Sequence, residues 1–348
     1  MWYISPLVFL ISSPQLMPGI ITIFFVLIFT MANYYFHGVR LSHLIVLCIL
    51  SLITLLTTIF NLSTRELIAS PFIIVSYILM LTSFPKNNLV FENKVLSGLL
   101  WSVFLGLFLS IVAINNSANI FYKSLANKGF ENIYAITGFT ATPQAFATMC
   151  LVLLVFRTPN LRITNFLLVF SLFSSINRIT ILTYLACEVF KNKIFLVVLS
   201  ICAAVLLLQY RDNLAFLYTL QTLSSRGDMV IDIFNQITSR DIFTLLLGSG
   251  STFIPIDGKW HIHYIESGSM FIMYHFGLLG LLIYFAYCIH ILSMFRHASC
   301  KHAKAVWLFA VFYFLVVFNL THEMLGPIMW FVMHLTSEYF YRKKKIHG

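Results

Sequence analysis

Between Asp257 and Glu266 the chain sets a carboxylate, an amine, two imidazoles and a second carboxylate in close succession: Asp257, Lys259, His261, His263, Glu266. From Gly268 onward the residues are apolar enough to enter lipid except at His275. Glu266 is thus the last acid before a long hydrocarbon-like run. Partial desolvation at such a boundary favours the protonated carboxyl and moves it toward the range of a general base. A second reading is that of an ordinary acid at a helix N-terminus, which the dipole favours. His261 and His263 form an H-x-H that suits hydrogen bonding to hydroxyls or phosphates of a substrate. With Asp257 the same pattern could ligate a metal, but the spacing is generic, plain surface histidines would show it too, and we expect no metal here.

Two arginines stand out beside this cluster. Arg178 lies in SSINRITILTY, between two apolar runs so short that together they read as a hairpin turning at a membrane edge. A charge is costly there unless it meets water, a carboxylate or an anionic ligand. Snorkelling to anchor a helix end is one use. Bidentate contact with phosphate oxygens is the use that a permanently charged planar fork serves best. Arg226 follows Ser224-Ser225, and Ser225 with Asp228 three residues on resembles a capping box, so a helix is expected to begin at Arg226. Its charge would oppose the positive end of that helix, while the free N–H groups there would welcome an anion. Arg211, Arg240 and Lys259 are weaker candidates of the same kind. His322 and Glu323, at the end of another helix, could complete the same vestibule.

The elements that must position these groups are membrane helices. Of 348 residues 59% are hydrophobic and 10% charged, with mean hydropathy +0.90, too few polar residues to clothe a water-soluble globule. Apolar runs predict helices near 17–36, 42–60, 67–84, 95–114, 139–156, 163–176, 177–190, 194–209, 268–292, 305–320 and 324–340. Tyr3–Ser13 is a short twelfth. The fold class is therefore an all-α polytopic integral membrane protein of about 11–12 transmembrane helices, read as one domain over 1–348 with a large external loop at 210–267. Within that loop Val230, Ile233, Phe234 and Ile237 recur with helical spacing, which places Asp228 and Asp232 on the far side. No basic n-region or cleavage site marks a removable leader. The six cysteines stand singly, with no CxxC.

Charge sets the orientation. Arg40, Lys86, Lys94, Arg157, Arg162, Lys191, Lys193, Arg296, Lys301, Lys304 and Arg342 to Lys345, 14 of the 22 basic residues, fall on one face, which the positive-inside rule makes cytoplasmic. The other face carries nine of the 12 acids and the 210–267 loop. The net charge of +10 is explained by these flanks, with no call for nucleic acid. An even helix count, which we favour, puts the start of the chain on the basic face.

No Walker A, Rossmann fingerprint, GxSxG or HExxH is present, so any energy for chemistry would come from the substrate, and no cofactor is expected. The serine-rich edge SSINR, the arginine of SSRGD, the LLGSGS segment and the polar pair Glu266-Ser267 before GLLG, in that order, resemble the bacterial O-antigen polymerase (Wzy) and O-antigen ligase superfamily. The likeness covers the helical layout over nearly the whole length and is sharpest from Ser174 to Leu282. It implies a glycosyltransferase of the bacterial inner membrane, working at the periplasmic face on undecaprenyl-diphosphate-linked oligosaccharide repeat units in the bilayer, with a chain-length regulator as a further partner. The physical reading of the residues fits this: Arg178 and Arg226 would hold the diphosphate, and Glu266, assisted by His261 or His263, would orient or deprotonate the acceptor hydroxyl. Ligases usually carry a His-Asn type of pair where this chain has Glu266-Ser267, a departure that favours polymerase over ligase. A transporter or flippase of lipid-linked sugars is the rival from another class, although internal repeats and midplane polar residues, its usual marks, are missing here.

Overall fold

A computed structural model describes the chain apart from residues 17–18, 39–43, 46–47, 50, 54, 56–68, 113–120, 126–129, 141, 157–161, 192–220, 240, 250–253, 257–258, 262–266, 321–325 and 348. In order, the described elements are α1 (Ile4–Ile11), a 3₁₀ turn (Pro14–Leu16), α2 (Gly19–His37), α3 (Ala69–Ser83) and α4 (Leu89–Val112). The hairpin β1 (Tyr122–Leu125) and β2 (Phe130–Ile136) follows, then α5 (Pro143–Phe156), α6 (Arg162–Ser174) and α7 (Arg178–Lys191). The last third holds α8 (Gln221–Thr238), α9 (Ile242–Leu247), the strands β3 (Ile254–Ile256) and β4 (Lys259–His261), α10 (Gly268–Ser293), α11 (Lys301–Phe312) and α12 (Pro327–His347). Among the described residues α2, α4 and α10 with its 3₁₀ extension to His297 are long and apolar enough to cross a membrane. The chain is a predominantly helical membrane protein.

Most expected runs coincide with a helix to within a few residues. α4 starts at Leu89, a turn and a half before its apolar run, because Asn88 accepts from Phe91 N–H at 3.0 Å and caps it. The expected 305–320 helix begins earlier, at Lys301, and passes into a π-turn over Tyr313–Val317. Most of the 42–60 run and the whole of 194–209 lie outside the described residues. Two short β-hairpins stand among the helices. β1 pairs antiparallel with β2, and β3 with β4 in the register Ile256↔Lys259. Asp257-Gly258 between β3 and β4 is a pair that two-residue hairpin loops select.

Packing radiates from α5, which is buried all round from Phe146 to Val155, as a helix apolar on every face must be. α4, α6, α7, α11 and α12 pack on it. α1 runs parallel to α4: Ser5 Oγ donates to Lys94 O at 2.9 Å and Ser13 Oγ meets Ser102 Oγ at 3.0 Å. Between these contacts Gly98 lets the helices close, since a Cβ there would come within 2.6 Å of Ser5 O.

The same contacts sort the charges. Arg342 grips Glu92 through both nitrogens, with Nη2 at 2.7 Å from Oε2, and Asn87 N–H donates to Glu338. His302 stacks edge-on against Tyr339 with centroids 5.8 Å apart, and Cys187 Sγ reaches Ala305 O at 3.5 Å. Lys86, Lys94, Lys191, Lys301, Lys304 and Arg342 are thereby gathered at one end of the bundle, with the start of α1. The β1–β2 hairpin sits at the other end, where Tyr122 Oη donates to Ser110 O at 2.6 Å and Gln15 N–H to Phe139 O at 3.1 Å.

Candidate functional site

The turn that carries Arg178 is tightly made. α6 ends at Ser174, Ser175 Oγ donates back to Leu172 O at 2.6 Å, and Ile176 takes φ 53°. A β-branched residue in the left-handed region is a steric outlier, of the kind held in place only by surrounding structure. Asn177 then caps α7, its Oδ1 accepting from Thr180 N–H at 3.1 Å and Thr180 Oγ1 at 3.0 Å. Arg178 is therefore the first residue of α7, half-buried, where its charge opposes the helix dipole. With 13 and 14 residues in α6 and α7, each arm is about 20 Å long against a hydrocarbon core of about 30 Å. The turn stands at the end of α7 remote from Cys187 and so away from the basic end of the bundle.

Arg226 is placed differently from the sequence expectation. α8 is already helical at Gln221, so Arg226 lies in its second turn, its N–H is not among the free ones of a helix start, and Ser225 does not stand at an N-cap position. The anion-binding argument built on that start is withdrawn for Arg226. The amphipathic reading of α8 holds in part, since Phe234 of the expected apolar face is 50% exposed. Ile233 and Ile237 are buried, Asp228 and Asp232 are exposed, and the helix packs against α10.

α10 is not continuous. Gly277 adopts φ 65°, ψ −163° and splits it into two helical segments. The break is occupied by backbone from the LLGSGS segment. Gly248, at φ 83°, lies so close that a Cβ on it would fall 2.2 Å from His275 O, and a Cβ on Gly277 would fall 2.4 Å from Leu246 O. Only glycine satisfies both the positive φ and this approach. The freed carbonyl of Tyr274 accepts from Ser249 N–H at 2.9 Å and from Ser249 Oγ at 3.0 Å, which answers the need to pair backbone groups inside a membrane. His275 is buried between Phe271, stacked at 5.8 Å, and Phe276 at 4.6 Å.

The start of α10 is pinned from the other side. Phe318 N–H donates to Tyr313 O at 2.7 Å across the π-turn, which leaves Phe318 O to cap Gly268 N–H at 3.1 Å. Asn319 Oδ1 accepts from Ser269 N–H at 2.9 Å, and its Nδ2 faces Phe314 O at 3.1 Å, Leu315 O at 3.2 Å and Tyr284 Oη at 3.3 Å. π-turns recur at functional sites. α7, which Arg178 opens, packs against this Tyr313–Val317 segment. Arg178 and the mouth of α10 thus belong to one end of the molecule.

Lys259 and His261 lie two positions apart in β4, paired with Ile256 and Ile254. Arg211, Arg240, His263, Glu266, His322 and Glu323 lie outside the described residues, as does Asp257. Sequence reasoning missed Asn319 and Ser249. Asn319 had a signal, being an amide inside an otherwise apolar run. Ser249 had none, because its role exists only through contact with Tyr274. No protein-family model matches this chain, and neither does any curated protein.

Proposed function

We propose that the chain is a polysaccharide polymerase that transfers a growing glycan from a polyprenyl diphosphate to a lipid-linked repeat unit, on the membrane face opposite its basic end. The observation that carries this reading is Arg178. A guanidinium set at the first position of a helix, beside a turn whose Ile176 is at positive φ, stands where an anion held near lipid would be met by a permanent planar charge. In the proposed step the acceptor hydroxyl oxygen attacks the anomeric carbon and its proton passes to the Glu266 carboxylate. The bond from that carbon to the diphosphate oxygen breaks, and the diphosphate leaves with the electron pair, its charge met by Arg178. His261 or His263 orients the acceptor. Arg226 is kept as a side-chain partner of the diphosphate or glycan, without the helix-start argument.

The test is the length distribution of cell-surface polysaccharide, together with the sidedness of lipid-linked units, at equal protein level. Arg178→Lys keeps the charge and loses the planar fork, so it should fall nearly as far as Arg178→Ala, by about 10²–10³ in rate. Glu266→Gln should stop chain growth while single lipid-linked units still accumulate on the outer face. A full ladder in Glu266→Gln would remove that residue from the mechanism. Units trapped on the cytoplasmic side would assign the chain to the flippases, and normal ladders that fail to reach their final acceptor would assign it to the ligases.

A further inference from the structure

The loop helix α9 carries the sequence IFTLLL and presents Ile242, Phe243 and Leu246 outward with 60%, 74% and 45% of their surfaces exposed. In a loop bathed in water these would be misplaced. Their depth tells otherwise. Leu246 and Gly248 are pressed against Gly277, nine residues past the first residue of α10, which is about 13 Å along a helix apolar enough to cross a membrane. Just beyond the break, α10 itself exposes Leu279, Leu282 and Ile283, the kind of surface that only lipid covers in a spanning helix.

The backbone of the segment is also prepared for a medium without water. Asp241 O accepts from Leu245 N–H at 3.0 Å and Thr244 O from Gly248 N–H at 2.8 Å. Ser249 N–H is taken by Tyr274 O at 2.9 Å, and Thr244 N–H by Asp241 Oδ1 at 2.9 Å. Of its polar side chains only Asp241, at the start, is exposed, as are Asp228 and Asp232 on the preceding α8, while Thr244 Oγ1 donates to Asp241 Oδ2 and Ser249 Oγ to Tyr274 O. Non-helical backbone at membrane depth is tolerated where protein buries it, and Gly248 and Ser249 are buried against α10. We propose that Asp241–Ser249 is a re-entrant element whose Ile242, Phe243 and Leu246 face is an interaction surface for the acyl chains of the bilayer leaflet around the mouth of α10. This assignment stands whether or not the chain is a polymerase.

The test is spin-label accessibility in the full chain reconstituted in phosphatidylcholine nanodiscs, with Cys48, Cys202 and Cys300 changed to Ser. A nitroxide on Phe243→Cys should relax more with dissolved oxygen, which concentrates in lipid, than with a water-soluble nickel chelate. A nitroxide on Asp228→Cys in the same background should show the reverse order and so proves folding and reconstitution. Ile242→Cys and Leu246→Cys repeat the measurement should Phe243→Cys fail to fold. Nickel-dominated relaxation at all three positions would place α9 in water. Low access to both reagents would mean that protein, such as a second copy of this chain, covers the face. Either result overturns the proposal.

Discussion

Asp241 holds the first turn of α9 with one carboxylate. It accepts from Thr244 N–H at 2.9 Å, from Thr244 Oγ1 at 2.7 Å and from the Phe243 backbone, and these bonds keep its pKa below the usual carboxylate range. A depressed pKa contributes stability that is present above the unfolded-state value and is lost as pH falls through the folded one. α9 should therefore hold its position through neutral and mildly acidic pH and loosen only below the ordinary aspartate range. Nitroxide mobility at Phe243→Cys followed against pH measures this. Asp241→Asn keeps an accepting oxygen and should flatten the dependence, whereas Asp241→Ala should loosen α9 at every pH. Residue by residue, the sequence was informative about kind and less so about place. A cation expected at a helix start describes Arg178, the first residue of α7, and not Arg226, which lies inside α8. Ser225 and Asp228 spell a cap, yet a helix already running from Gln221 overrides so short a signal.

At the scale of elements, Gly277 at the break in α10 and Gly227 within α8 make opposite predictions. Gly277→Ala would drive a Cβ into the Leu246 carbonyl, 2.4 Å away, at φ 65°, and should lower stability by about 1–3 kcal/mol. Gly227→Ala lies in the helix α8 with open space around it, and should raise stability by up to about 1 kcal/mol. Thermal unfolding of the two variants in one detergent compares them directly, and equal shifts would contradict the backbone lock. Helices were legible because lipid forbids unpaired backbone, so long apolar runs have few alternatives. The break in α10 was not legible. Its two glycines lie far apart in sequence, and each alone reads as ordinary close packing or a loop. The β3–β4 hairpin was legible in principle from Asp257-Gly258, but the search for spans passed over it.

Across the whole molecule, the ion pair of Glu92 with Arg342 joins α4 to α12 and fastens the basic end. Glu92→Gln leaves Arg342 without its partner and should cost about 3 kcal/mol. The double variant Glu92→Gln with Arg342→Gln should lose less than the sum of its parts, since the two residues share one interaction. Melting temperatures of the two singles and the double decide it, and strict additivity would show that the pair does not couple. The grouping of basic residues was readable from the sequence alone, because lysines and arginines flanking alternate spans must fall at one end. What joins them there was not, since Glu92 and Arg342 are distant in the chain and neither shows its partner.

The parallel seam between α1 and α4 bears on how the protein is made. α1 has eight residues, about 12 Å of helix, and cannot by itself span the bilayer. The face that receives it, from Lys94 through Gly98 to Ser102, is synthesised some ninety residues later, a delay on the order of 5–20 s at ordinary elongation rates. For that interval α1 has only α2 to lean on, through Tyr3, which donates to Asn33 Oδ1 at 3.0 Å and stacks on Phe36, and its main groove is still missing. Its docking is then a post-insertional event, timed by the ribosome's arrival at α4.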